Sequence, residues 1–336
     1  MSPVRRVGIA FDLRDDFVAR ETDPEDRLEE YDSRDTVEAI AGAIRALGLE
    51  PIELGGGRRF VERLLADPPD LVFNLAEGFG TRSREAQLPA VMELLGVPFT
   101  HSDPLTLAAT LDKDVARKLC AAEGVPVPRG RRVERMRDLD DLDFGYPMIC
   151  KPLAEGSSMG VRRRSRVTSA KELRDRVGEL VEEYRQPALV EEFLPGTELT
   201  VGIVGNGAEA RVLGVMEIAP RKDRADEFVY SLEVKRNWRE EVEYHVPPRA
   251  PGLAVRAGRV ALDAYHVLGC RDLARVDLRL DAAGHPRFIE VNPLPGLNPI
   301  SGDIVIIANR TGISYEGLIA AIIEAAVGRQ GLELAR

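Results

Sequence analysis

The sequence predicts an α/β protein in which a parallel, helix-covered N-terminal domain is followed by α+β domains built on antiparallel sheets. Three observations carry this. Strand and helix patterns alternate over the first hundred residues, period-2 runs recur from 189 onward, and two of them flank the turn Asp281-Ala-Ala-Gly284. A βαβα order requires crossovers and hence parallel strands, whereas a tight turn joins antiparallel ones. At 336 residues the chain has room for two or three domains around a sizeable core.

The elements follow in order. Val7 to Phe11, preceded by Arg5 and Arg6 and followed by no small-residue cleavage site, reads as a first strand rather than an export signal running from Met1. A helix starts near Ser33, with Val37, Ile40, Ala41, Ile44 and Leu47 on a 3.6-residue period and Gly48 as its stop. Pro51 to Leu54 and Leu71 to Leu75 are strands, Leu88, Val91, Met92 and Leu95 mark a helix closed by Gly96, and Val97 to Thr100 is extended. A second unit opens with a helix over Asp112 to Glu123, which Gly124, Pro126 and Pro128 end. Tyr146 to Lys151 is a strand, the small-residue loop Glu155-Gly-Ser-Ser-Met-Gly160 follows, and Ser169-x-x-Glu172 is a capping box that starts a helix. Leu189 to Phe193, Thr197 to Val204 and Val212 to Ile218 are strands. From about 221 to 246 the pattern dissolves into a charged stretch holding Trp238, expected to be a mobile loop. A helix over Leu253 to Leu268, a hairpin and two short helices complete the chain.

Composition narrows the function. Lys and Arg number 46 against 56 Asp and Glu, a net charge of −10, so no nucleic-acid or membrane partner is expected and an anionic ligand needs a local basic pocket. Arg162-Arg-Arg164 with Arg166 reads as a solvated strand edge. Three cysteines, Cys120, Cys150 and Cys270, sit in apolar segments without CxxC spacing, which fits buried thiols in a reducing, cytoplasmic setting. The four histidines have no paired-ligand spacing, and there is neither a Walker A motif nor a GxGxxG turn.

The chemistry concentrates in Ala274 to Asn292. If the hairpin turn centres between Ala282 and Ala283, Arg275 faces Glu290 and Asp277 faces Phe288, and alternation puts Arg275, Asp277, Glu290 and Asn292 on one face. Two carboxylates and an amide on a rigid strand pair suit a hard divalent cation bound with nucleotide phosphates. Lys151 ends a strand just before the Gly/Ser loop, whose small residues let backbone N–H groups approach phosphate oxygens.

Taken in order, Asp112-Lys113, Lys151-Pro-x-x-Glu-Gly-Ser-Ser-x-Gly160, Glu191-Glu-Phe-Leu-x-Gly-x-Glu198, Lys235, Arg275-x-Asp277 and Glu290-x-Asn292 resemble the ATP-grasp enzymes. The wording is most similar to that of the D-alanine–D-alanine ligase family, over about three quarters of the chain from Leu71 to Ile323. The resemblance implies a pre-ATP-grasp domain over 1–102, a first ATP-grasp subdomain with the Gly/Ser loop over 103–188, and a second, 189–336, carrying the metal hairpin. It implies ATP and two Mg²⁺ ions, with Mn²⁺ as a substitute, and a homodimer. Lys113, Lys151 and Ser158 then contact phosphates, and Lys235 reaches the γ-phosphate from a closing loop. Glu191, the backbone of Leu194, and Glu198 hold adenine and ribose, and Asp277, Glu290 and Asn292 hold the metals. Arg275 stabilises charge developing on phosphoryl and tetrahedral oxygens. Ser157 lies near the first substrate, and Ser301 with the backbone of Gly296 binds the second substrate's carboxylate.

The amino-acid half departs from the family's wording. Phe11-Asp-Leu-Arg-Asp-Asp16 replaces a glycine-rich turn, and Arg27-Leu-Glu-Glu-Tyr-Asp-Ser33 stands where the family carries the glutamate that holds the first substrate's ammonium. Glu29 and Glu30 are candidates for that task, although the stretch reads as an acidic solvated loop. Arg236 replaces a Tyr, and Gly302-Asp303 follows Ser301 where an apolar residue is usual. The reading is an ATP-dependent carboxylate–amine ligase that joins two amino-acid-like molecules through an acyl-phosphate. Its alternatives are a ligase of the same architecture for an L-amino acid or a specialised-metabolite acceptor, and an ATP-binding regulatory protein without turnover.

Overall fold

The computed structural model describes residues 3–18, 23–80 and 82–335. Met1 and Ser2, and residues 19–22 of the departing N-terminal segment, lie outside them. Strands β1 (Arg6–Ala10), β2 (Glu50–Gly55) and β3 (Leu71–Asn74) form a parallel sheet in the order β2-β1-β3, as the βαβ pattern requires. Helix α1 (Arg34–Ala46) covers one face through Val37, Ile40 and Ile44, while α2 (Gly57–Ala66) and α3 (Gln87–Leu95) cover the other through Phe60, Leu64, Leu88 and Met92. Gly96 closes α3 in the left-handed conformation, φ 67°, where a side chain is disfavoured.

Helices α4 (Pro104–Leu111) and α5 (Lys113–Ala122) lead into a four-stranded antiparallel sheet of β4 (Gly130–Val133), β5 (Met148–Pro152), β6 (Arg166–Val167) and, beyond α6 (Ala170–Tyr184), β7 (Ala188–Glu192). The Ser169 hydroxyl accepts from the Glu172 N–H at 3.3 Å, and the Glu172 carboxylate reaches the Thr168 N–H at 2.7 Å, which caps α6 as its sequence indicates. β7 lies just past residue 188 in the chain yet completes this sheet, between β4 and β5.

The third sheet runs β10-β9-β8-β11-β12, from β8 (Glu198–Val204), β9 (Arg211–Pro220), β10, β11 (Leu273–Leu280) and β12 (Pro286–Asn292). The stretch expected to be a mobile loop is instead folded: α7 (Leu232–Arg236), α8 (Trp238–Glu241) and β10 (Val242–His245) follow one another, and β10 pairs with β9. Each piece is only four or five residues long, too short for a hydrophobic period to register. Tertiary burial of Leu232, Val234 and Val242 and the stacking of Trp238 on Tyr244, 5.3 Å between centroids, hold them. Helix α9 (Leu253–Val267) backs the sheet, α10 (Asp303–Arg310) packs on β8 and β9, and α11 (Tyr315–Arg329) packs on β8 and α1. The last helix, at 15 residues, is not short.

The β11–β12 register differs from the expected one. Asp277 stands opposite Glu290, Arg275 opposite Asn292, and Leu278 opposite Phe288. Two causes add. The Asp281 carboxylate accepts the N–H groups of both Ala283 and His285, at 2.9 Å each, which lengthens the turn so that Leu280 meets Pro286. A bulge then leaves Ile289 unpaired, so Ile289 and Glu290 both face the cleft below while Phe288 stays in the core.

One buried group ties the N-terminal domain to the Gly/Ser loop. Asp26 is fully buried and accepts from the Gly160 N–H at 3.0 Å, from Arg162 Nη2 at 3.1 Å and from the Tyr184 hydroxyl at 2.7 Å. Arg162 is therefore an internal ion-pair partner and not part of a solvated edge, and Arg166 lies over the Phe193 ring. Removing one side of such a buried pair typically costs about 3 kcal/mol. Asp26→Ala is accordingly expected to lower the thermal unfolding midpoint by several degrees in calorimetry, and an unchanged midpoint contradicts the clamp.

Candidate active site

The four- and five-stranded sheets face each other across a cleft whose walls come from β5, β7, β8, β11, β12 and the Gly/Ser loop. Strand alternation aims Lys151 and Glu191 inward from one sheet, and Glu198, Asp277 and Glu290 inward from the other. Lys113, Ser158, Leu194, Lys235 and Arg275 line the same cleft. Part of its wall is apolar, formed by Ile149, Met159, Val161, Phe193, Leu194 and Ile289. There Glu191 Oε1 is buried with no hydrogen-bond partner among the described residues, while Glu191 Oε2 takes Lys151 Nζ at 2.8 Å. An orphaned carboxylate oxygen beside a flat apolar slot fits a planar heterocycle that offers an N–H donor.

The rest of the wall is a mesh of buried charges. Arg275 holds Asp277 through Nε and Nη2, with Nη2–Oδ2 at 2.8 Å, and lies 3.6 Å from Asp303. Asp277 also accepts the Thr200 hydroxyl at 2.9 Å and the Asn292 amide at 3.3 Å. Lys113 Nζ sits 3.1 Å from Glu290. Burial alone would raise the Glu290 carboxyl, but Lys113, Lys151 and Arg275 overcome it and hold the group at about 2. Burial alone would lower Lys151, yet Glu191 and Glu290 keep it above its ordinary value. Lys235 shifts the other way, lowered by burial and by Arg275, and makes no ion pair among the described residues. Asp277, Glu290 and the Asn292 side-chain oxygen form an all-oxygen donor set, the kind a hard divalent cation takes.

A second cavity adjoins the mesh under the N-terminal domain, with Ser157, Asn292 and Gly296 on one side and Glu30, Asp32, Glu77 and Glu85 on the other. Ser157 and Ser158 both have positive φ, 48° and 59°, a turn that points successive N–H groups toward one side. Glu30, expected in a solvated loop, is buried and pairs with Arg84 at 2.5 Å. Glu29 instead meets Arg236 at 2.8 Å, joining the N-terminal segment to α7. Gly296 and Ser301 line a third opening with Arg236 and Asp303, where Ser301 Oγ donates to Asn298 at 3.1 Å on the exposed rim. Gly302 tolerates no Cβ, which would come within 2.6 Å of the Gly296 carbonyl.

The sequence did not single out Thr200, Arg279, Arg84, Glu77 or Glu85. Thr200 and Arg279 were within reach, because Glu198, Thr200, Asp277 and Arg279 share a face by alternation and Arg279 pairs with Glu198 at 3.2 Å. Arg84, Glu77 and Glu85 lie before a helix, with partners far away in sequence, and nothing local marks them.

Comparison with known proteins shows the family and the fold. A family model described as D-ala D-ala ligase C-terminus matches residues 124–324. A D-alanine–D-alanine ligase from Gluconobacter oxydans is 36% identical over 302 residues, 87% of this chain and 93% of its own. One from Geobacter sulfurreducens is 32% identical over 288 residues, 85% of this chain and 86% of its own. Among solved structures, the D-alanine–D-alanine ligase from Bacillus anthracis complexed with ATP has a TM-score of 0.72 at 21% identity, covering 97% of this chain and 99% of that one. The VanG D-Ala:D-Ser ligase from Enterococcus faecalis has a TM-score of 0.72 at 22% identity, covering 96% and 100%. The fold and the matched family define an ATP-grasp ligase that forms C–N bonds. Within that class the chain belongs to the D-alanine–D-alanine ligase family.

The acidic cavity carries a pH signature. Burial raises Asp32 and Glu85 to about 7, against the Thr36 hydroxyl and Arg84 respectively, and burial with Glu85 and Glu30 raises Glu77 well above the usual range. Such groups bind protons more tightly folded than unfolded, so their contribution is complete below the ordinary carboxylate range and is lost as pH rises through 7. His101, lowered to about 4 by burial, acts in the opposite sense but as a single group. The ligand-free protein is expected to lose thermal stability between pH 5 and pH 8, and Glu85→Gln to flatten that decline. A midpoint rising over the interval in both proteins contradicts the assignment.

Proposed function

We propose that the protein is an ATP-dependent ligase that phosphorylates the carboxylate of one amino-acid-like substrate and joins it to the amine of a second. The observation that carries this reading is the charge mesh: Lys113, Lys151, Lys235 and Arg275 line one cleft together with Asp277 and Glu290, and apolar side chains complete its wall. The cationic groups suit a triphosphate, and the apolar wall with the orphaned Glu191 oxygen suits adenine. Glu198, next to the slot, is placed for the ribose hydroxyls.

Each group then has a task. Lys113 and Lys151 exchange Glu290 and Glu191 for phosphate oxygens, and the loop over Ser157 and Ser158 offers N–H donors. Lys235, without an ion-pair partner among the described residues, reaches the transferred phosphoryl group. Asp277, Glu290 and Asn292 would hold two Mg²⁺ ions, which would neutralise the charge of the phosphates. The substrate carboxylate oxygen attacks the γ-phosphorus and ADP leaves, giving an acyl-phosphate. The second amine attacks the acyl carbon, inorganic phosphate leaves, and the ammonium proton is released to solvent. Arg275 faces the oxygens on which negative charge develops in both steps. No protein nucleophile is needed. Gly296 and Ser301 line the opening for the second substrate's carboxylate. Two D-alanine molecules are the first pair to test, since several relatives carry the name D-alanine–D-alanine ligase. The three buried free thiols suit a reducing compartment and support a cytoplasmic setting, and the family supports a homodimer.

Phosphate release from Mg-ATP by the purified protein, across a panel of D- and L-amino acids with products identified by mass, tests the reading. Amino-acid-dependent release with a dipeptide product is expected, and release indifferent to every amino acid contradicts it. Asp277→Asn and Glu290→Gln are each expected to lower turnover by about 100-fold or more with the fold retained, the scale of losing one transition-state charge contact. Wild-type turnover in either variant removes the metal assignment. Lys235→Ala is expected to lower turnover far more than ATP affinity, and equal losses of both would show that it acts in ground-state binding.

A further inference from the structure

The cavity under the N-terminal domain holds more carboxyl groups than the ammonium of one alanine can pair. Carboxylate oxygens of Glu30, Glu77 and Glu85 all lie within 4.8 Å of one another. Arg84 pairs with Glu30 at 2.5 Å and with Glu155 at 3.3 Å, and its other nitrogen is bound to the Ala154 carbonyl at 2.9 Å. Among the described residues that leaves Asp32, Glu77 and Glu85 facing the cavity without an ion pair. Glu85 is only 8% exposed, and its side chain makes no hydrogen bond or ion pair among the described residues. A buried carboxylate that opens only onto a cavity, beside two more of its kind, is stable as an anion when the cavity supplies cations.

The same cavity is continuous with the reaction centre. Lys113, Arg275, Glu290 and Asn292 form its far wall, and Leu75, Leu111 and Leu294 provide apolar sides. A ligand spanning it can set a carboxylate toward Arg275, a short aliphatic chain against the leucines and positive groups toward the glutamates. A bare divalent ion uses none of the apolar wall, and Glu30 is already taken by Arg84.

We propose that the carboxylate substrate is a short diamino acid, whose two ammonium groups are received by Glu77, Glu85 and Asp32 while its carboxylate lies at Arg275. This rests on the ligase reading above. Glu77 and Glu85 act here as specificity residues that select charge on the side chain of the acid substrate. A hydrophobic pocket discriminates weakly, whereas a site of buried polar groups rejects a ligand that leaves them unpaired.

The test uses the full chain with Mg-ATP and compares D- and L-2,4-diaminobutyrate and ornithine with norvaline and D-alanine, each alone and with D-alanine as the amine. At least one stereoisomer of a diamino acid is expected to exceed norvaline in kcat/KM by about 100-fold. Glu85→Gln and, separately, Glu77→Gln are expected to reduce that ratio at least about tenfold while ATP affinity is kept. Both replacements keep side-chain size and remove repulsion, so the proteins fold, and thermal unfolding verifies it. Equal use of norvaline and the diamino acids, or an unchanged ratio in both variants, overturns the proposal. Calorimetric titration with 2,4-diaminobutyrate in the absence of ATP separates it from the ligase reading. Binding that is lost in Glu85→Gln upholds the cationic site even where no phosphate is released. Stoichiometric Mn²⁺ binding without nucleotide, lost in the same variant, assigns the carboxylates to a metal and overturns it.

Discussion

The balance of opposite charges buried between two facing sheets governs this structure. Arg275 and Asp277 on β11 are tied to each other, and Lys113 is tied to Glu290 on β12. None of these ions could be left unpaired so far from water without several kcal/mol of penalty. The requirement reaches outward. β11 is an inner strand flanked by β8 and β12, so Thr200 lies opposite Asp277 and supplies it with a hydroxyl. The bulge at Ile289 turns both that residue and Glu290 toward the cleft, so one strand contributes the hydrophobic floor and the carboxylate side by side. A nucleotide and its cations can enter such a site by exchanging partners with charges already there. The protein therefore keeps the site assembled without exposing a bare cluster of either sign.

The N-terminal domain is bound into the same arrangement. Asp26 anchors the Gly/Ser loop, Arg236 joins α7 to Glu29, and Arg84 links Glu30 to Glu155 at the loop's start. These contacts couple the placement of Ser157, Ser158 and Lys235 to the segment that departs most from the family's wording. The residues proposed to hold the nucleotide are thus fixed by the same contacts as the acidic surround of the second cavity.

Much of this was legible in the sequence, for identifiable reasons. Helices over 34–46, 87–95, 113–122, 170–184 and 253–267 announce themselves because each has several turns of apolar period and a capping or glycine stop. The residues expected to contact the nucleotide converge because strand alternation and the order of the motifs are local properties. The hairpin register was not legible, since the Asp281 turn and the Ile289 bulge arise from backbone hydrogen bonding that no residue type there requires. Residues 232–245 were misread because their elements are shorter than one hydrophobic window and draw their stability from distant partners. The helix over 57–66 was masked by the preceding Gly55-Gly56-Gly57 run, and that over 104–111 by its nearly continuous apolar composition. The acidic cavity was hidden for a third reason: Glu30 and Arg84 are 54 residues apart, and only the fold makes them neighbours.

The central claim is that the buried mesh on β11 and β12 is a site for a nucleotide triphosphate bound together with divalent cations. Calorimetric titration of the purified protein with ATP, in the presence and absence of Mg²⁺, tests it most directly. The account predicts strong binding that depends on Mg²⁺, because without cations the triphosphate meets the Asp277 and Glu290 carboxylates unshielded. ATP binding of equal strength in the two conditions, or none in either, would contradict it.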